Sequence, residues 1–322
     1  MTEVPDAAVR RDLLHPAIAR HAEKGPWPDA AGLIGRGLFR DALRSYCATM
    51  LQPHAAGWPA DKFFGQKLRY LVCFVLIGLD ARWRRGAGEA PTLSTLQRVA
   101  PASGRQVAAL ITAMKLGGYV VASPLPEDRR ALRLSPTMAL LAEIGRSPLA
   151  FLAASERLEP ASQTMTARLG SDAVFAGDWL GTSYDAFLEE DIYFGPFANI
   201  VRLTAQDCGF PVLSAVLGAH YAALADVPAP ALLSYGSLAE RFRVSRQHVG
   251  NILGDAELNG CFSVGRGGQR VSIAPDFLWE FESWAAGQMA HYRRLAERVL
   301  AQAGASGPPA RAAAGATPPG GL

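Results

Sequence analysis

A chain of 322 residues has room for about two domains, and 19% charged residues with a formal net charge of +3 is the composition of an ordinary soluble protein. The four cysteines lie far apart and form neither a CxxC pair nor a Cys/His cluster, which argues against a zinc finger and favours buried free thiols. The most apolar run, residues 70–79, is too short for a membrane helix of about 20 residues, and residues 1–23 lack the apolar region of a signal peptide. We therefore expect no membrane partner.

The chain begins with a stretch broken by four prolines, residues 1–30, which we predict to be a flexible N-terminal arm with one short helix. Residues 31–51 follow a helical pattern with apolar side chains on one face. Residues 61–85 predict a long apolar helix that ends in a basic turn, where cations suit the negative end of the helix dipole.

Residues 92–137 form the first of two similar segments, and residues 234–276 form the second. At an offset of 142 residues Ser103 aligns with Ser245, and the apolar and glycine positions around them match. Each segment has the pattern of a helix, a tight turn, a second helix and a basic β-hairpin. That order is typical of a winged helix-turn-helix, whose second helix enters the major groove of DNA.

In the first segment Thr92 and Ser103 are predicted to cap the two helices. Apolar residues at helical spacing bury one side of the second helix, so its other side is exposed. The exposed residues are Arg105, Gln106, Ala109, Thr112 and Ala113. Because Arg favours guanine edges and Gln favours adenine edges, we predict that Ser103, Arg105, Gln106 and Thr112 contact DNA.

The first hairpin carries Asp128, Arg129 and Arg130 at its tip, and Thr137 is placed to cap the helix after it. That helix is predicted to end near Gly145, and a second helix is predicted over residues 148–157. The region after it, residues 158–209, reads as an acidic aromatic linker. Its aromatic side chains at 175–197 favour a core over a ligand pocket.

Charge separates along the chain. Residues 92–137 carry six Lys/Arg and two Asp/Glu, a net charge of +4, and residues 234–275 carry five and three, a net charge of +2. Between them, residues 148–233 carry three Arg and ten Asp/Glu, a net charge of −7. Basic charge on the two repeated segments is the placement that binding to phosphates needs.

In the second segment Ser245 is predicted to cap the second helix, which follows an apolar helix at 210–225 and a first helix at 236–242. Its outward residues are Arg246, Gln247, His248, Gly250 and Asn251, and its hairpin carries Arg266, Gln269 and Arg270. We predict that Ser245, the hairpin residues and the outward side chains contact DNA. A long helix over 276–302 and a disordered tail, residues 303–322, complete the chain.

The first segment resembles the multiple-antibiotic-resistance-regulator (MarR) family of bacterial regulators. The resemblance rests on residues 116–120, the tip Asp128-Arg129-Arg130 and the return strand that leads to Thr137. It implies a wing arginine, Arg129 or Arg130, that enters the minor groove while Asp128 holds it by a salt bridge. The second hairpin lacks this Asp-Arg pair, so the implied insertion does not extend to it.

The sequence contains no phosphate-binding loop, nucleophile elbow, metalloprotease motif or dinucleotide-binding turn, and its six histidines are scattered. We therefore expect no enzyme, cofactor or metal. The predicted fold class is mainly α with small β-hairpin wings (α+β), a tandem winged helix-turn-helix. Its domains would be residues 31–157 and 210–302.

These patterns favour a cytoplasmic, nucleoid-associated transcription regulator whose partner is double-stranded DNA with a bipartite site. An alternative is a structural or interaction protein with tandem winged helices, such as an accessory subunit in chromosome organisation or replication initiation. A homodimer through the terminal helices and a small-molecule effector are compatible with the regulator.

Overall fold

The computed structural model describes residues 12–53, 63–160, 164–189 and 191–305, and 67% of the chain is helical. After a 3-10 helix at Pro16–His21, the first half contains helices α1 (Trp27–Ile34), α2 (Phe39–Met50), α3 (Lys67–Arg84), α4 (Leu93–Val99) and α5 (Gly104–Leu116), strands β1 (Val120–Pro124) and β2 (Leu132–Pro136), and helix α6 (Met138–Leu158). The second half contains α7 (Met165–Ser171), α8 (Ala173–Glu189), α9 (Ala198–Ala205), α10 (Gly209–Leu224), α11 (Tyr235–Phe242) and α12 (Arg246–Leu258), strands β3 (Phe262–Val264) and β4 (Val271–Ile273), and helix α13 (Pro275–Ala305).

The sequence repeat is also a structural repeat. Helices α5 and α12 begin at Gly104 and Arg246 and end at Leu116 and Leu258, so both ends differ by the offset of 142 residues found in the sequence. The same offset relates the first residues of α3 and α10 and of β1 and β3. Each β pair forms an antiparallel two-stranded hairpin. The prediction of a mainly α chain with two small hairpins is confirmed in this form.

Side-chain caps fix where the repeated helices begin. The hydroxyl of Ser103 accepts the N–H of Gln106, and that of Ser245 accepts the N–H of His248. Thr92, Thr137 and Ser234 accept the N–H three residues further on in the same way. These bonds satisfy amides that have no partner within the first turn of a helix.

The two halves exchange their N-terminal helices. Helix α2 packs on α10 of the second half, and α8 packs on α3 of the first half. In the same reciprocal way α1 packs on α13 and α7 packs on α6, while α6 and α13 pack on each other. The result is one continuous hydrophobic core in which each half completes the other.

Glycines allow the closest helix contacts of this exchange. A Cβ at Gly78 of α3 would lie 2.0 Å from the ring of Tyr184 in α8, and a Cβ at Gly287 of α13 would lie 2.2 Å from the ring of Trp27. Since no neighbour can yield that far, only glycine lets these helices approach so closely.

The sequence predicts a linker over residues 158–209. The structure shows instead that this region contains three helices of the shared core. Trp179 and Phe197 are completely buried, and the indole N–H of Trp179 donates to the carbonyl of Tyr292 over 3.0 Å. The aromatic pattern is irregular because these rings face several helices, and their role in the core is confirmed.

The acidic side chains of this region neutralise the basic end of α3. Asp185 pairs with Arg82 at 2.6 Å and with Arg85 at 3.1 Å, and Asp178 pairs with Arg84 at 2.9 Å. The arginines that were assigned to the helix dipole therefore join α3 to α8. This pairing gives the negative charge of the middle segment a structural function.

The predicted flexible arm is wrong for the part of residues 1–30 that the structure describes, and residues 1–11 lie outside it. Ile18 and Trp27 are completely buried, and the backbone N–H of His15 donates to Ser283 of α13 over 2.9 Å. Prolines interrupt helices here, but the apolar side chains between them still reach the core. The predicted disordered tail lies outside the described residues except for the end of α13.

Two helix predictions need correction. The predicted helix over 31–51 is two helices, because Gly35 and Gly37 lie where α1 ends and before α2 begins, and glycine is a poor helix former. The break predicted between Gly145 and Pro148 is absent, and α6 continues through Pro148. Proline cannot donate to the carbonyl four residues earlier, and the hydroxyl of Tyr70 donates to that carbonyl, of Ile144, over 3.1 Å.

Helix α6 is long and apolar enough, by length and composition, to cross a membrane. Its apolar side chains are buried against neighbouring helices of the same chain, among them Leu140, Ile144 and Leu152. The core helix of a soluble protein meets the same criterion. The apolar run at 70–79 lies in α3 and is buried from Val72 onward, as expected.

Candidate nucleic-acid interface

The exposed face of α5 lies opposite a buried stripe. Val107, Leu110, Ile111 and Met114 are buried as the spacing predicts, and Arg105, Gln106 and Thr112 are exposed. We call α4, α5 and the hairpin β1–β2 the first head.

Two of these exposed side chains are already hydrogen-bonded within the helix. The amide oxygen of Gln106 accepts the N–H of Ser103 at 3.1 Å, which completes a reciprocal cap with Ser103. The hydroxyl of Thr112 donates to the carbonyl of Ala108 over 2.9 Å. Bidentate recognition of adenine needs both ends of the Gln amide, so the predicted role of Gln106 as an adenine reader does not fit this arrangement.

The second head consists of α11, α12 and the hairpin β3–β4. The predicted stripe of Val249, Ile252, Leu253 and Ala256 is buried. Arg246, Gln247 and Asn251 are exposed, and within the described residues none of the three has a hydrogen-bond or ion-pair partner. Their polar groups are therefore available to a ligand.

His248 does not belong to this exposed set, contrary to the sequence prediction. Its side chain is half-buried, and its Nε2 lies 2.8 Å from the carbonyl oxygen of Asp207, to which it donates. The amide of Gln206 donates to Asp255 of α12 over 2.9 Å. The loop before α10 thus holds α12 at two points, a contact that no local sequence pattern indicates.

The first hairpin, wing 1, is pinned to the body at its base. Arg133 of β2 lies 2.8 Å from the buried carboxylate of Asp80 in α3, and its guanidinium lies 4.0 Å from the ring centre of Trp83. Asp80 also pairs with Arg84 at 3.0 Å. Sequence reasoning missed Asp80, because a carboxylate inside an apolar helix reveals its partners only in three dimensions.

The tip of wing 1 is exposed and ordered by its own turn. The carboxylate of Asp128 accepts the backbone N–H of Arg130 at 2.9 Å. Within the described residues no ion pair joins Asp128 to Arg129 or Arg130, so the implied salt bridge is absent. Asp128 instead shapes the turn that presents both arginines.

The second hairpin, wing 2, lies close to α11. Its turn at Arg266–Gly268 is a short 3-10 turn, with Gly267 and Gly268 at φ values of 67° and 71°. Gly268 is buried against Tyr235, and a Cβ there would lie 2.6 Å from the ring. Arg266, Gln269 and Arg270 are exposed, as predicted.

The arginines of the two heads differ from those of the body in their pairing. In the part of the chain that the structure describes, eight exposed arginines of the heads have no acidic partner, namely Arg105, Arg129, Arg130, Arg241, Arg243, Arg246, Arg266 and Arg270. Among the described arginines of the body, eight form ion pairs, for example Arg40 with Glu282 at 2.9 Å. Five exposed ones have no acidic partner, namely Arg20, Arg157, Arg168, Arg202 and Arg298, and they are spread over a longer stretch of chain than those of the heads. Unneutralised charge is therefore concentrated on the heads, where an anion can reach it.

The four cysteines are buried and form no disulfide, as expected. Burial raises the pKa of the Cys261 thiol to about 11 and raises that of Cys47 and Cys73 further, so these thiols stay protonated at neutral pH. The described residues contain no group of three His, Cys, Asp or Glu side chains placed to hold a metal ion.

A recess between α8 and α13 brings part of the aromatic segment together with charged side chains. Its lining includes Tyr193, His291, Arg294 and Arg298. A small-molecule effector stays a prediction.

No protein-family model matches the chain, and neither the curated proteins nor the solved structures contain a significant match to it.

Proposed function

We propose that the protein is a sequence-specific transcription regulator that binds double-stranded DNA with two covalently joined winged helix-turn-helix heads. The observation that carries this proposal is the concentration of exposed arginines without acidic partners on the two repeated heads, whereas most arginines of the body form ion pairs. DNA presents one phosphate charge per about 1.7 Å of its axis, and neutralising those phosphates releases counterions.

The reciprocal exchange of helices supports a two-headed reader. Because α2 and α8 each pack on the opposite half, the two heads are attached to one core rather than to a flexible linker. One chain would then place two recognition helices on one duplex, as two chains do in dimeric regulators, and would recognise a bipartite site. The site would lie on the nucleoid, and the resemblance of the first head to the MarR family points the same way.

The test is the salt dependence of duplex binding, measured by fluorescence anisotropy. We expect the affinity of the intact chain to fall by about a decade or more between low and moderate salt. Replacing Arg129 and Arg130 by Ala should reduce the slope of log affinity against log salt by about one to two contacts. The charge-matched control is Arg20→Ala with Arg157→Ala, two exposed arginines outside the heads.

Equal slopes for the wing variant and its control would contradict binding through the heads. No binding of genomic or random duplexes at low ionic strength would contradict DNA binding altogether.

A further inference from the structure

We infer that the two heads read DNA by different means and therefore recognise an asymmetric site. The second head identifies bases in the major groove through α12, whereas the first head recognises phosphates and a narrow minor groove through wing 1. This inference rests on the proposed function and specifies what each half of the site must contain.

The exposed faces of α5 and α12 differ at equivalent positions. Arg246, Gln247 and Asn251 of α12 correspond, at the offset of 142 residues, to Gly104, Arg105 and Ala109 of α5. All three α12 side chains can bond base edges, and among the described residues they have no other partner. Glycine and alanine carry no hydrogen-bonding group, so α5 keeps only Arg105 at these positions.

At one further pair of equivalent positions, both side chains are polar but already form hydrogen bonds within the protein. Gln106 completes the cap of α5, and His248, which aligns with it, donates to the carbonyl of Asp207. In both heads the side chain at this position is therefore already bonded within the protein, to the helix cap in the first head and to the loop before α10 in the second. Base reading then depends on the neighbouring positions, where only the second head is equipped for it.

The wings differ in the opposite sense. Wing 1 has five-residue strands, a base pinned by Arg133 to Asp80, and a tip whose turn presents Arg129 and Arg130 to solvent. Wing 2 has three-residue strands, and its turn is packed against Tyr235. Both wings carry two exposed arginines, Arg129 and Arg130 in wing 1 and Arg266 and Arg270 in wing 2, so the wings differ in length and anchoring rather than in charge. The longer, anchored hairpin can carry its arginines into a narrow minor groove, whose negative potential attracts arginine.

Taken together, the second head has base readers and a short wing, and the first head has an anchored arginine wing and few base readers. The preferred DNA should therefore contain one segment of defined base sequence and, on one side of it only, an A/T-rich segment with little base definition. A site of that kind gives the chain a fixed orientation on the duplex.

The experiment is selection from a library of random duplexes with the full chain. The α12 variant carries Gln247→Ala and Asn251→Ala, and the wing variant carries Arg129→Ala and Arg130→Ala. All four residues are exposed, so we expect the variants to keep the stability of the parent, which their unfolding curves test. The control is the Arg20→Ala, Arg157→Ala chain.

For the α12 variant, we expect the enrichment of the base-defined segment among the selected duplexes to fall by at least about tenfold, while the enrichment of the A/T-rich segment is kept. The wing variant should do the reverse. A palindromic site with two equally defined halves, or loss of the same segment in both variants, would overturn the inference while leaving DNA binding intact. Absence of any salt-dependent duplex binding would overturn the proposed function as well.

Discussion

The guanidinium of Arg133, at the base of wing 1, lies 2.8 Å from the carboxylate of Asp80, which is 5% exposed in the core helix α3. The same carboxylate binds Arg84, which in turn pairs with Asp178 of α8. A chain of charges therefore connects wing 1 to the helix contributed by the other half. The position of Arg133, and with it the base of wing 1, therefore depends on the buried carboxylate of Asp80.

Asp80→Ala should lower the free energy of unfolding by about 2–4 kcal/mol, because it leaves the partly buried guanidinium of Arg133 without a carboxylate and removes one of the two carboxylates that pair with Arg84. The matched control is Arg36→Ala, which breaks a pair with Glu159 whose side chains are 56% and 34% exposed. An exposed pair of that kind contributes less than about 1 kcal/mol. Urea denaturation of both variants measures the difference, and equal effects would show that the Asp80 network is not a stabilising link.

Gly78→Ala should destabilise the protein, since its Cβ would collide with the ring of Tyr184 and push α3 away from α8. We expect a loss of about 1–3 kcal/mol in the free energy of unfolding. Gly32→Ala in α1 is the control, because no atom lies within 4 Å of its added Cβ, and alanine favours a helix by up to about 1 kcal/mol. A thermal melt in which both variants behave alike would contradict the close contact between the halves.

Acid should destabilise the protein through His291. Burial, reinforced by Arg298 and Arg294, lowers the pKa of this histidine from 6.5 to about 3, and its Nε2 lies 2.8 Å from Ser183. The unfolded chain binds a proton below pH 6.5 that the folded chain does not bind until about pH 3. Stability therefore falls as the pH drops through this window, by about 1.4 kcal/mol per unit.

Between pH 7 and pH 5 the histidine alone should remove about 2 kcal/mol of stability. Urea denaturation at both pH values measures this, and the His291→Gln variant, which cannot titrate, should lose correspondingly less. The same pH dependence in both chains would mean that other groups cause the loss.

Two substitutions of Asp128 distinguish its role in the turn at the tip of wing 1 from the effect of its negative charge. Its carboxylate oxygen accepts the N–H of Arg130, and asparagine keeps an acceptor there while removing a negative charge near DNA. Asp128→Asn should therefore bind duplex DNA at least as tightly as the parent, and Asp128→Ala should bind more weakly. Tighter binding by the alanine variant in an anisotropy titration would show that the carboxylate acts only as a repelling charge.

The parts of the fold that sequence could predict are those set by local periodicity and capping. The 3-4-3 spacing of Val107 to Met114 identifies the buried side of α5, and the caps at Ser103 and Ser245 mark the residues at which α5 and α12 begin. A one-dimensional pattern carries no information on which half a helix packs against, so the exchange of α2 and α8 could not be predicted. The hydrogen bonds that Gln106 and His248 form within the protein could not be predicted either, because a helical projection places both side chains on the exposed face.

A footprint of the intact chain on genomic DNA fragments is the most direct test of whether both heads bind DNA. We expect one chain to protect two unequal segments. Arg129→Ala with Arg130→Ala should remove one of them, and Gln247→Ala with Asn251→Ala should weaken the other. Protection that is absent on every fragment, or that neither pair of substitutions alters, would contradict it.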